Sequence, residues 1–404
     1  MDLRSNEPFW LVKNGIIQSY NSLREDKSCD ILVVGSGITG SLMAYQCIEE
    51  GFSTILIDKR EVANGSSSAT TSMLQYEIDV PLFELSEKIG KEGAEISYQA
   101  CSQAINQLED ISKKIKSKAG FKKKNSLYFA AFKKDVDKLK KECKAREGAG
   151  FEVKWMTAEQ ISKKYQIENT FGGILSTQGA SIDAFRFVHE LLGFSVQKGL
   201  EVYDQTKLVK VKNKSDGVEA SLDTGVKIKA KKIIYCTGYE STEILPEKFV
   251  NLISTYVIVS ESDPELYKEY GDLLIWNTAD PYIYMRTTDD GRMLVGGEDE
   301  RFVNPKKRDN LIHKKQTKLL KSFQKYIRNR PFYPDFAWAG TFGETQDGLP
   351  YIGTHKEFPN SYFVLGFGGN GITFSVAGME MVSHWLKDKR HPLSKWFKFG
   401  RRGI

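Results

Sequence analysis

The chain has 404 residues and a formal net charge of +6, with 40% hydrophobic and 27% charged residues. This composition is ordinary for a soluble globular protein, and the length predicts two or three domains, or two interleaved ones. No apolar stretch approaches the roughly 20 residues that a membrane-spanning helix needs, and the N-terminal stretch lacks the apolar segment of a signal peptide. The sequence therefore excludes a membrane span.

The five cysteines are scattered, odd in number and without a C-x-x-C pair. This pattern argues against a disulfide framework and against a zinc site. We therefore expect no bound metal and a reducing compartment, which we take to be the cytoplasm.

Lysine crowds two stretches, residues 111–125 and 132–146. A basic stretch of this kind could contact nucleic acid. Acidic residues interrupt the second stretch, however, and no aromatic residues interleave it, which favours solvated helical faces. We therefore expect no nucleic-acid partner.

The predicted elements begin with a βαβ unit over residues 29–60, in which a helix over 38–50 is closed by Gly51. The later elements, in chain order, are a helix over 84–118, a strand over 125–132, a helix over 133–150, a helix over 181–199, strands over 200–213, 218–238 and 253–262, a hairpin over 281–297, a helix over 309–329, and a strand, glycine turn and helix over 361–386. The D-G turn of the hairpin joins two alternating strands.

The first glycine turn has the spacing G-x-G-x-x-G and predicts a phosphate-binding loop. Its first glycine permits a tight turn, the second lets the backbone approach a pyrophosphate, and the third permits close helix packing. The helix N-terminus that follows favours an anion. The loop residues expected at the cofactor are Gly35, Ser36, Gly37, Ile38, Thr39 and Gly40.

An acidic residue follows this loop at the spacing of a ribose ligand. Asp58 ends the second strand about 20 residues later, where its carboxylate can accept hydrogen bonds from a ribose. A carboxylate there disfavours the 2′-phosphate of NADP but leaves NAD and FAD open. Lys59 and Arg60 follow it as further cofactor candidates, although a solvent-facing charge is the simpler interpretation of Arg60.

Three further stretches favour FAD. A small polar loop after the second strand can pack hydroxyls against a ring and a pyrophosphate, and a later apolar strand runs into "CTG". The closing glycine turn provides a second helix N-terminus, whose dipole would stabilise the charge of a reduced flavin. An NAD enzyme has no need of this second site. The residues concerned are Ser66, Ser67, Ser68, Thr70, Thr71, Ser72, Leu208, Cys236, Thr237, Gly238, Gly368, Gly369, Asn370, Gly371, Ile372 and Thr373.

In these segments the chain resembles the FAD-dependent D-amino-acid oxidase-like family, which includes glycine oxidase, sarcosine oxidase and gamma-glutamylputrescine oxidase. The resemblance spans about residues 28–390 and rests on "VVGSGITG", "GSSSATTS", "YCTG", "GRMLVGG", "TQDGLPYIG" and "GFGGNGITFS" in the family's order. It implies an α/β (α+β overall) fold, in which a Rossmann-like FAD-binding domain is interleaved with an antiparallel-sheet substrate domain. The implied FAD-binding segments are 1–90, 172–249 and 337–404, and the implied substrate segments are 91–171 and 250–336.

The resemblance also implies a reaction. A small amine or amino acid would lose a hydride from the carbon next to nitrogen to flavin N5, and the resulting imine would be hydrolysed. The electrons would pass on to O₂ or to another acceptor. Two alternatives stay open: a flavoprotein that acts on a modified nucleic-acid base, and an NAD-linked dehydrogenase.

The chain departs from its family in the segment "WAGTFGETQDGLPYIG". Glycine oxidase-like relatives have there an arginine that grips the substrate carboxylate, and Phe342 stands in its place. Sarcosine oxidase-like relatives attach FAD to a cysteine where this chain has Gly340, so we expect non-covalent FAD. Where those relatives have a lysine that activates oxygen, the chain has Leu294, which leaves oxidase and dehydrogenase both open.

The substrate pocket has several candidate residues. Alternation in "PYIYMRTTDDGR" places Tyr282, Tyr284 and Arg286 on one face of a strand. If that face meets the flavin, Arg286 could hold an anionic group; otherwise it is a surface charge of the hairpin. Gln75 and Tyr76, with Glu77, follow the FAD loop and could lie near the ring, or they could belong to an ordinary strand with a buried tyrosine.

Overall fold

The computed structural model describes residues 1–5 and 7–401, which form two sheets with helices packed around them. The helices are α1 (Phe9–Asn14), α2 (Ile38–Glu49), α3 (Leu82–Ile89), α4 (Lys91–Lys114), α5 (Val136–Gly148), α6 (Ala158–Tyr165), α7 (Ala184–Val196), α8 (Pro264–Tyr270), α9 (Pro305–Asn310), α10 (Ile312–Tyr326), α11 (Gly371–Leu386) and α12 (Ser394–Phe397). The strands are β1 (Lys27–Val34), β2 (Thr54–Ile57), β3 (Met73–Gln75), β4 (Lys122–Phe129), β5 (Val153–Met156), β6 (Gly173–Ser181), β7 (Glu201–Tyr203), β8 (Leu208–Lys214), β9 (Gly217–Leu222), β10 (Lys227–Tyr235), β11 (Asn251–Ser262), β12 (Leu273–Asn277), β13 (Ile283–Thr287), β14 (Arg292–Glu300), β15 (Pro334–Glu344), β16 (Tyr351–His355) and β17 (Phe358–Leu365).

The first sheet has the strand order β16-β17-β10-β1-β2-β7, with β8 and β9 joined beside β10. Its five strands β17, β10, β1, β2 and β7 pair in parallel. They are apolar because helices cover the sheet, and α2 packs against both α7 and α11. The carboxyl ends of parallel strands meet at one edge, which is where open α/β sheets bind their ligands.

The second sheet has the order β15-β11-β14-β13-β12-β4-β6-β3, with β5 paired to β6. Its pairs are antiparallel except for β4 with β12. α10 and α8 cover one face of this sheet. Alternation along β13 directs Ile283 and Met285 into the core beneath α10, which leaves the residues between them for the opposite face. The two sheets confirm the predicted fold class.

Several predicted elements differ from the structure at their ends. The helix predicted over 84–118 is two helices, α3 and α4, because Gly90 between them adopts a φ of +86°, which ends the first. The helix predicted over 309–329 is likewise divided into α9 and α10. The helix predicted over 181–199 is α7, whose N-terminus is capped by the Asp183 side chain.

The predicted domain boundaries and the sheets do not coincide everywhere. Strands β3, β6 and β15 pair in the second sheet, although they lie in or across segments predicted for the FAD-binding domain. The domain boundaries therefore stay a prediction. Residues 6 and 402–404, which belong to the predicted segments 1–90 and 337–404, lie outside the described residues.

Lysines of both lysine-rich stretches form ion pairs with neighbouring acidic residues. Lys113 contacts Glu109 at 2.6 Å within α4, and Lys138 of α5 contacts Glu84 of α3 at 2.6 Å. This pairing agrees with the solvated helical faces expected from the sequence. Within residues 1–5 and 7–401, no helix combines the length and the apolar character needed to cross a membrane.

Candidate functional site

A cavity of about 700 Å³ lies between the two sheets. One wall consists of the loops at the carboxyl edge of the first sheet, and the other is the face of the second sheet turned away from α10. Segments from the beginning, the middle and the end of the chain meet here, as expected for a site at the edge of a parallel sheet.

The first loop of the cavity has the geometry of a phosphate cradle. Gly35 turns with a φ of +104°, and a Cβ there would lie 2.5 Å from the Cys236 carbonyl oxygen. Gly40 packs so tightly on the Gly35 carbonyl that no side chain fits. The N-cap of α2, Gly37, provides no side-chain cap, so N–H groups of the first turn face the cavity.

Asp58 lies beside this loop and is tied to it. Its carboxylate accepts hydrogen bonds from the Ser36 amide at 2.7 Å and from the Ser36 hydroxyl at 2.8 Å. Burial raises the pKa of the Asp58 carboxyl, although these bonds oppose the shift. Because Asp58 also lines the cavity, it is placed as an acceptor for a hydroxyl-bearing ligand.

The charges beyond Asp58 form a small network rather than free surface groups. The Arg60 guanidinium donates to Glu240 at 2.6 Å, and the Lys59 ammonium lies 2.8 Å from the same carboxylate. Burial acts to raise the pKa of Glu240, but the hydrogen bonds from Arg60 and Lys59 outweigh it and lower that pKa to about 2. Arg60 is thus ion-paired, although 28% of its side chain stays exposed, and all three residues line the cavity.

The polar loop after β2 is held by three large side chains, each of which donates to one of three consecutive carbonyl oxygens. The Trp338 indole of β15 donates to Ala69 at 2.9 Å, and the Trp10 indole of α1 donates to Thr70 at 2.6 Å. Arg286 of β13 donates through Nε to the Thr71 carbonyl oxygen at 2.6 Å. The loop thus places Ser67 beside the N-terminus of α2, where the Ser67 hydroxyl accepts a hydrogen bond from the Ile38 amide at 2.9 Å.

The second helix N-terminus opens into the same cavity. The N-cap of α11, Asn370, makes no capping bond, because its side-chain amide donates instead to the Gln75 carbonyl oxygen at 2.9 Å. Gly368 turns with a φ of +71°, and the Gly369 amide donates to Asp79 at 2.8 Å. The first turn of a 16-residue helix thereby faces the cavity.

Aromatic side chains form the wall supplied by the second sheet. Tyr282 and Tyr284 lie with ring centroids 5.7 Å apart, and Trp276 of β12 adds a third ring. The Tyr284 ring lies directly on Gly296 of the neighbouring strand, where any side chain would displace it. Phe342 of β15 completes this apolar surface.

Three carboxylates, Glu77, Asp79 and Asp299, line the cavity at this aromatic end. Burial, reinforced by the nearby Glu344 carboxylate, raises the pKa of Asp79 and of Asp299 to about 6. The Asp79 side chain is exposed and lines the cavity. Burial also raises the pKa of Glu77, although the Arg146 guanidinium 3.5 Å away opposes that shift.

Most residues predicted from the sequence reach the cavity. Those that line it are Gly35, Gly37, Ile38, Thr39, Asp58, Lys59, Arg60, Ser66, Ser67, Thr70, Thr71, Gln75, Leu208, Cys236, Thr237, Gly238, Tyr284, Gly340, Phe342, Gly368, Gly369, Asn370, Gly371 and Ile372.

The remaining predicted residues lie behind the cavity wall. The Ser36 hydroxyl donates to Asp58, and the Ser68 hydroxyl donates to the Gly65 carbonyl oxygen of its own loop. Gly40 serves helix packing, and Thr373 donates to the Asn370 carbonyl oxygen. Ser72 is buried, with a φ of +52°. These residues shape the loops without facing a ligand.

Two of the predicted substrate residues also lie away from the cavity. Tyr76 is fully buried and stacks on Phe151, as the alternative of an ordinary strand with a buried tyrosine predicted. Arg286 is only 2% exposed, so it is not a surface charge. Its other two nitrogens donate to the Thr287 and Ile182 carbonyl oxygens at 3.1 and 3.3 Å, and it does not line the cavity.

Some cavity residues were not predicted. Leu3 lines the cavity because the N-terminal segment pairs with β15, where the Thr341 amide donates to the Leu3 carbonyl oxygen at 2.7 Å. Asp79 and Asp299 were also missed. The one available signal for Asp299 was its place at the end of an apolar strand, after "LVGGE".

The residues present fit a flavin dinucleotide. The N-termini of α2 and α11, neither of which is capped by the side chain of its own N-cap residue, open into one cavity, and glycines stand where a Cβ would fill the space beside each of them. The first terminus suits the diphosphate, and the second suits a further negative centre. The acceptor Asp58 lies next to the first terminus, as the ribose of such a cofactor requires.

Comparison with known proteins agrees with this geometry. The family described as "FAD dependent oxidoreductase" (DAO) matches residues 30–385. Similar proteins include a putative Rieske 2Fe-2S iron-sulfur protein of Bacillus subtilis, 23% identical over 97% of this chain and 75% of that protein, and a glycine oxidase of Bacillus licheniformis, 25% identical over 89% and 93%. The crystal structure of glycine oxidase from Geobacillus kaustophilus has the same fold, with a TM-score of 0.77 and 17% identity over 93% of this chain and 99% of that one.

Proposed function

We propose that this chain, which belongs to the FAD-dependent oxidoreductase (DAO) family, oxidises the carbon–hydrogen bond next to the nitrogen of a small amine or amino acid. The observation that carries the proposal is that the N-termini of α2 and α11 open into one cavity whose other wall is aromatic. The family membership decides for FAD over NAD, which the first glycine loop alone left open.

Bound FAD would supply the two-electron acceptor for a hydride from the carbon next to the amine, which leaves an imine that water hydrolyses. The α2 terminus and Ser67 would hold its diphosphate, and Asp58 its ribose. The α11 terminus would stabilise negative charge at the other end of the cofactor.

The second sheet would orient the substrate. Tyr282, Tyr284 and Phe342 present ring surfaces that exclude water and hold a small organic molecule against the cofactor. The chemistry requires no metal and no protein nucleophile. It asks the protein to position a neutral amine, and this wall supplies that positioning.

The electrons would pass on to O₂ or to another electron acceptor. The similarity to a relative named as a Rieske iron–sulfur protein supports a one-electron protein acceptor as the alternative to O₂.

All five cysteines are free thiols, which supports the cytoplasm as the location of the protein.

An anaerobic screen tests the proposal. The flavin-loaded protein is mixed with amines and amino acids in the absence of air, and the visible flavin absorbance is followed. We expect bleaching by at least one amine, and prompt recolouring in air would identify an oxidase. If dithionite bleaches the flavin while every amine and amino acid fails, the proposed reaction is wrong. Steeply salt-dependent RNA binding would instead favour the nucleic-acid alternative.

A further inference from the structure

The charged residues that line the cavity differ between its two ends. On the first-sheet side, which suits the dinucleotide, both signs occur: the basic residues Lys59, Arg60, Lys207 and Lys210 lie there together with the acidic residues Asp58, Glu240, Glu243 and Glu357. At the aromatic end the charged lining residues within the described chain are all acidic, namely Glu77, Asp79 and Asp299. The aromatic end therefore has a negative potential before any ligand binds.

Two of these acids are not fully satisfied by the protein. Glu77 is only 3% exposed, and neither of its carboxylate oxygens receives a hydrogen bond; Arg146 lies 3.5 Å from it through Nη1 but directs Nε to Glu142 at 2.6 Å. The Oδ1 atom of Asp299 is also buried and has no hydrogen-bond partner. Buried carboxylate oxygens without donors are costly, so a donor from a ligand would stabilise them.

The walls around these acids are suited to a cation as well. Trp276, Tyr282 and Tyr284 surround the acidic end, and the faces of such rings attract ammonium groups. Two independent features, the donor-poor acids and the aromatic rings, therefore point to the same kind of ligand.

Among the described residues, the aromatic end of the cavity offers nothing suited to a substrate carboxylate. Phe342 stands in the place of the arginine expected by resemblance, and each of the three nitrogens of Arg286 donates to a backbone carbonyl oxygen. Within residues 1–5 and 7–401, the charged residues that a carboxylate would meet at this end are acidic, which disfavours its binding.

We propose that the substrate is a linear di- or polyamine, whose distal ammonium is held by Glu77, Asp79 and Asp299 while a second, neutral amine reacts. This inference rests on the proposed amine oxidation. The reacting nitrogen must be neutral because its lone pair forms the C=N bond, so it cannot balance the carboxylates, and a second positive centre is required. The step balances: the carbon loses a hydride to FAD, the iminium adds water, and an aldehyde and an ammonium ion leave.

Three four-carbon probes test the inference on the flavin-loaded protein without air: butane-1,4-diamine, butan-1-amine and 4-aminobutanoate. Flavin bleaching at increasing concentration gives an apparent Kd for each probe. We expect the diamine to bind about tenfold more tightly than butan-1-amine, which is the effect of roughly one charged hydrogen bond, and 4-aminobutanoate to bind most weakly.

Variants assign the effect to the acids. Asp299→Asn and Glu77→Gln should each weaken diamine binding about tenfold and leave butan-1-amine within about twofold. Glu261→Gln removes the same charge from an exposed position outside the cavity and should change neither. Flavin content, measured for each variant, separates lost cofactor from lost substrate recognition.

A probe that cannot be oxidised separates the two proposals. Protonated 2-methylpropan-2-amine donates hydrogen bonds, but the carbon next to its nitrogen carries no hydrogen. This probe should perturb the flavin absorbance spectrum, and Asp299→Asn should abolish the change. If glycine or 4-aminobutanoate bleaches the flavin at lower concentration than the diamine, the substrate class is wrong while amine oxidation stands. If no amine bleaches the flavin but 2-methylpropan-2-amine still perturbs it, amine oxidation is wrong while the cation site stands. If acetate perturbs the spectrum and 2-methylpropan-2-amine does not, the cation site itself is wrong.

Discussion

Replacing Arg286 by methionine removes one of the donors that hold the polar loop after β2 to the second sheet. Its guanidinium donates to the Thr71, Ile182 and Thr287 carbonyl oxygens, and it lies 5.3 Å from the centre of the Trp10 ring. Lys124 also donates to Thr287 at 3.3 Å, so this carbonyl keeps a donor in the variant. The other two carbonyls lose theirs.

The expected loss of stability follows from these two carbonyls. A buried acceptor left without a donor costs about 1–3 kcal/mol, so the unfolding free energy should fall by about 2–6 kcal/mol. Part of this loss is offset, because burial lowers the pKa of Arg286 to about 10 and the variant no longer buries that charge. Arg286→Lys can keep one of the bonds and should lie between the variant and the wild type.

Urea unfolding and FAD titration of the apoprotein measure both consequences. We expect Arg286→Met to lower the unfolding midpoint and to weaken FAD binding, because Thr71 belongs to the loop that lines the cavity. Arg301→Met, at an exposed position, is the control. A variant that keeps its stability and its FAD affinity but binds anionic substrates more weakly would refute this reasoning, since Arg286 would then contact substrate.

Three further predictions concern the cofactor and the acids. Gly40→Ala should lower the free energy of unfolding by about 1–3 kcal/mol or more and reduce FAD binding, because the new Cβ would overlap the Gly35 carbonyl. Gly148→Ala, with open space around it, should change neither, and equal FAD titrations of the two variants would contradict this prediction. The pKa of Asp299 is raised from 3.8 to about 6, so its ionisation destabilises the apoprotein as pH rises through that range. Asp299→Asn should therefore raise the melting temperature more at neutral pH than at about pH 4. An equal shift at both pH values would count against it. Acid precipitation should release FAD into the supernatant, since burial keeps the pKa of the cavity thiol Cys236 well above its usual range; flavin in the pellet would overturn this.

Most residues that the sequence predicted for the glycine loops line the cavity, because these loops are encoded locally. The spacing of Gly35, Gly37 and Gly40 specifies a turn and a helix N-terminus within one βαβ unit, and the closing glycines do the same for α11. Such motifs need no knowledge of distant partners.

The substrate end could not be predicted in the same way. Asp79 and Asp299 lie 220 positions apart in the sequence, and only the pairing of the second sheet brings them to one cavity. Alternation placed Arg286 correctly on the face of Tyr284. It could not reveal that the longer side chain reaches past the cavity to the carbonyl oxygens of another loop.

Three adjacent carbonyl oxygens accept hydrogen bonds from Trp10, Arg286 and Trp338, and these bonds limit how the protein can move. These donors come from a helix near the N-terminus and from two strands of the second sheet, so they attach the polar loop after β2 to the opposite wall of the cavity. Separation of the two cavity walls at this point would have to break all three bonds. We therefore expect the cavity to keep its shape while ligands enter and leave.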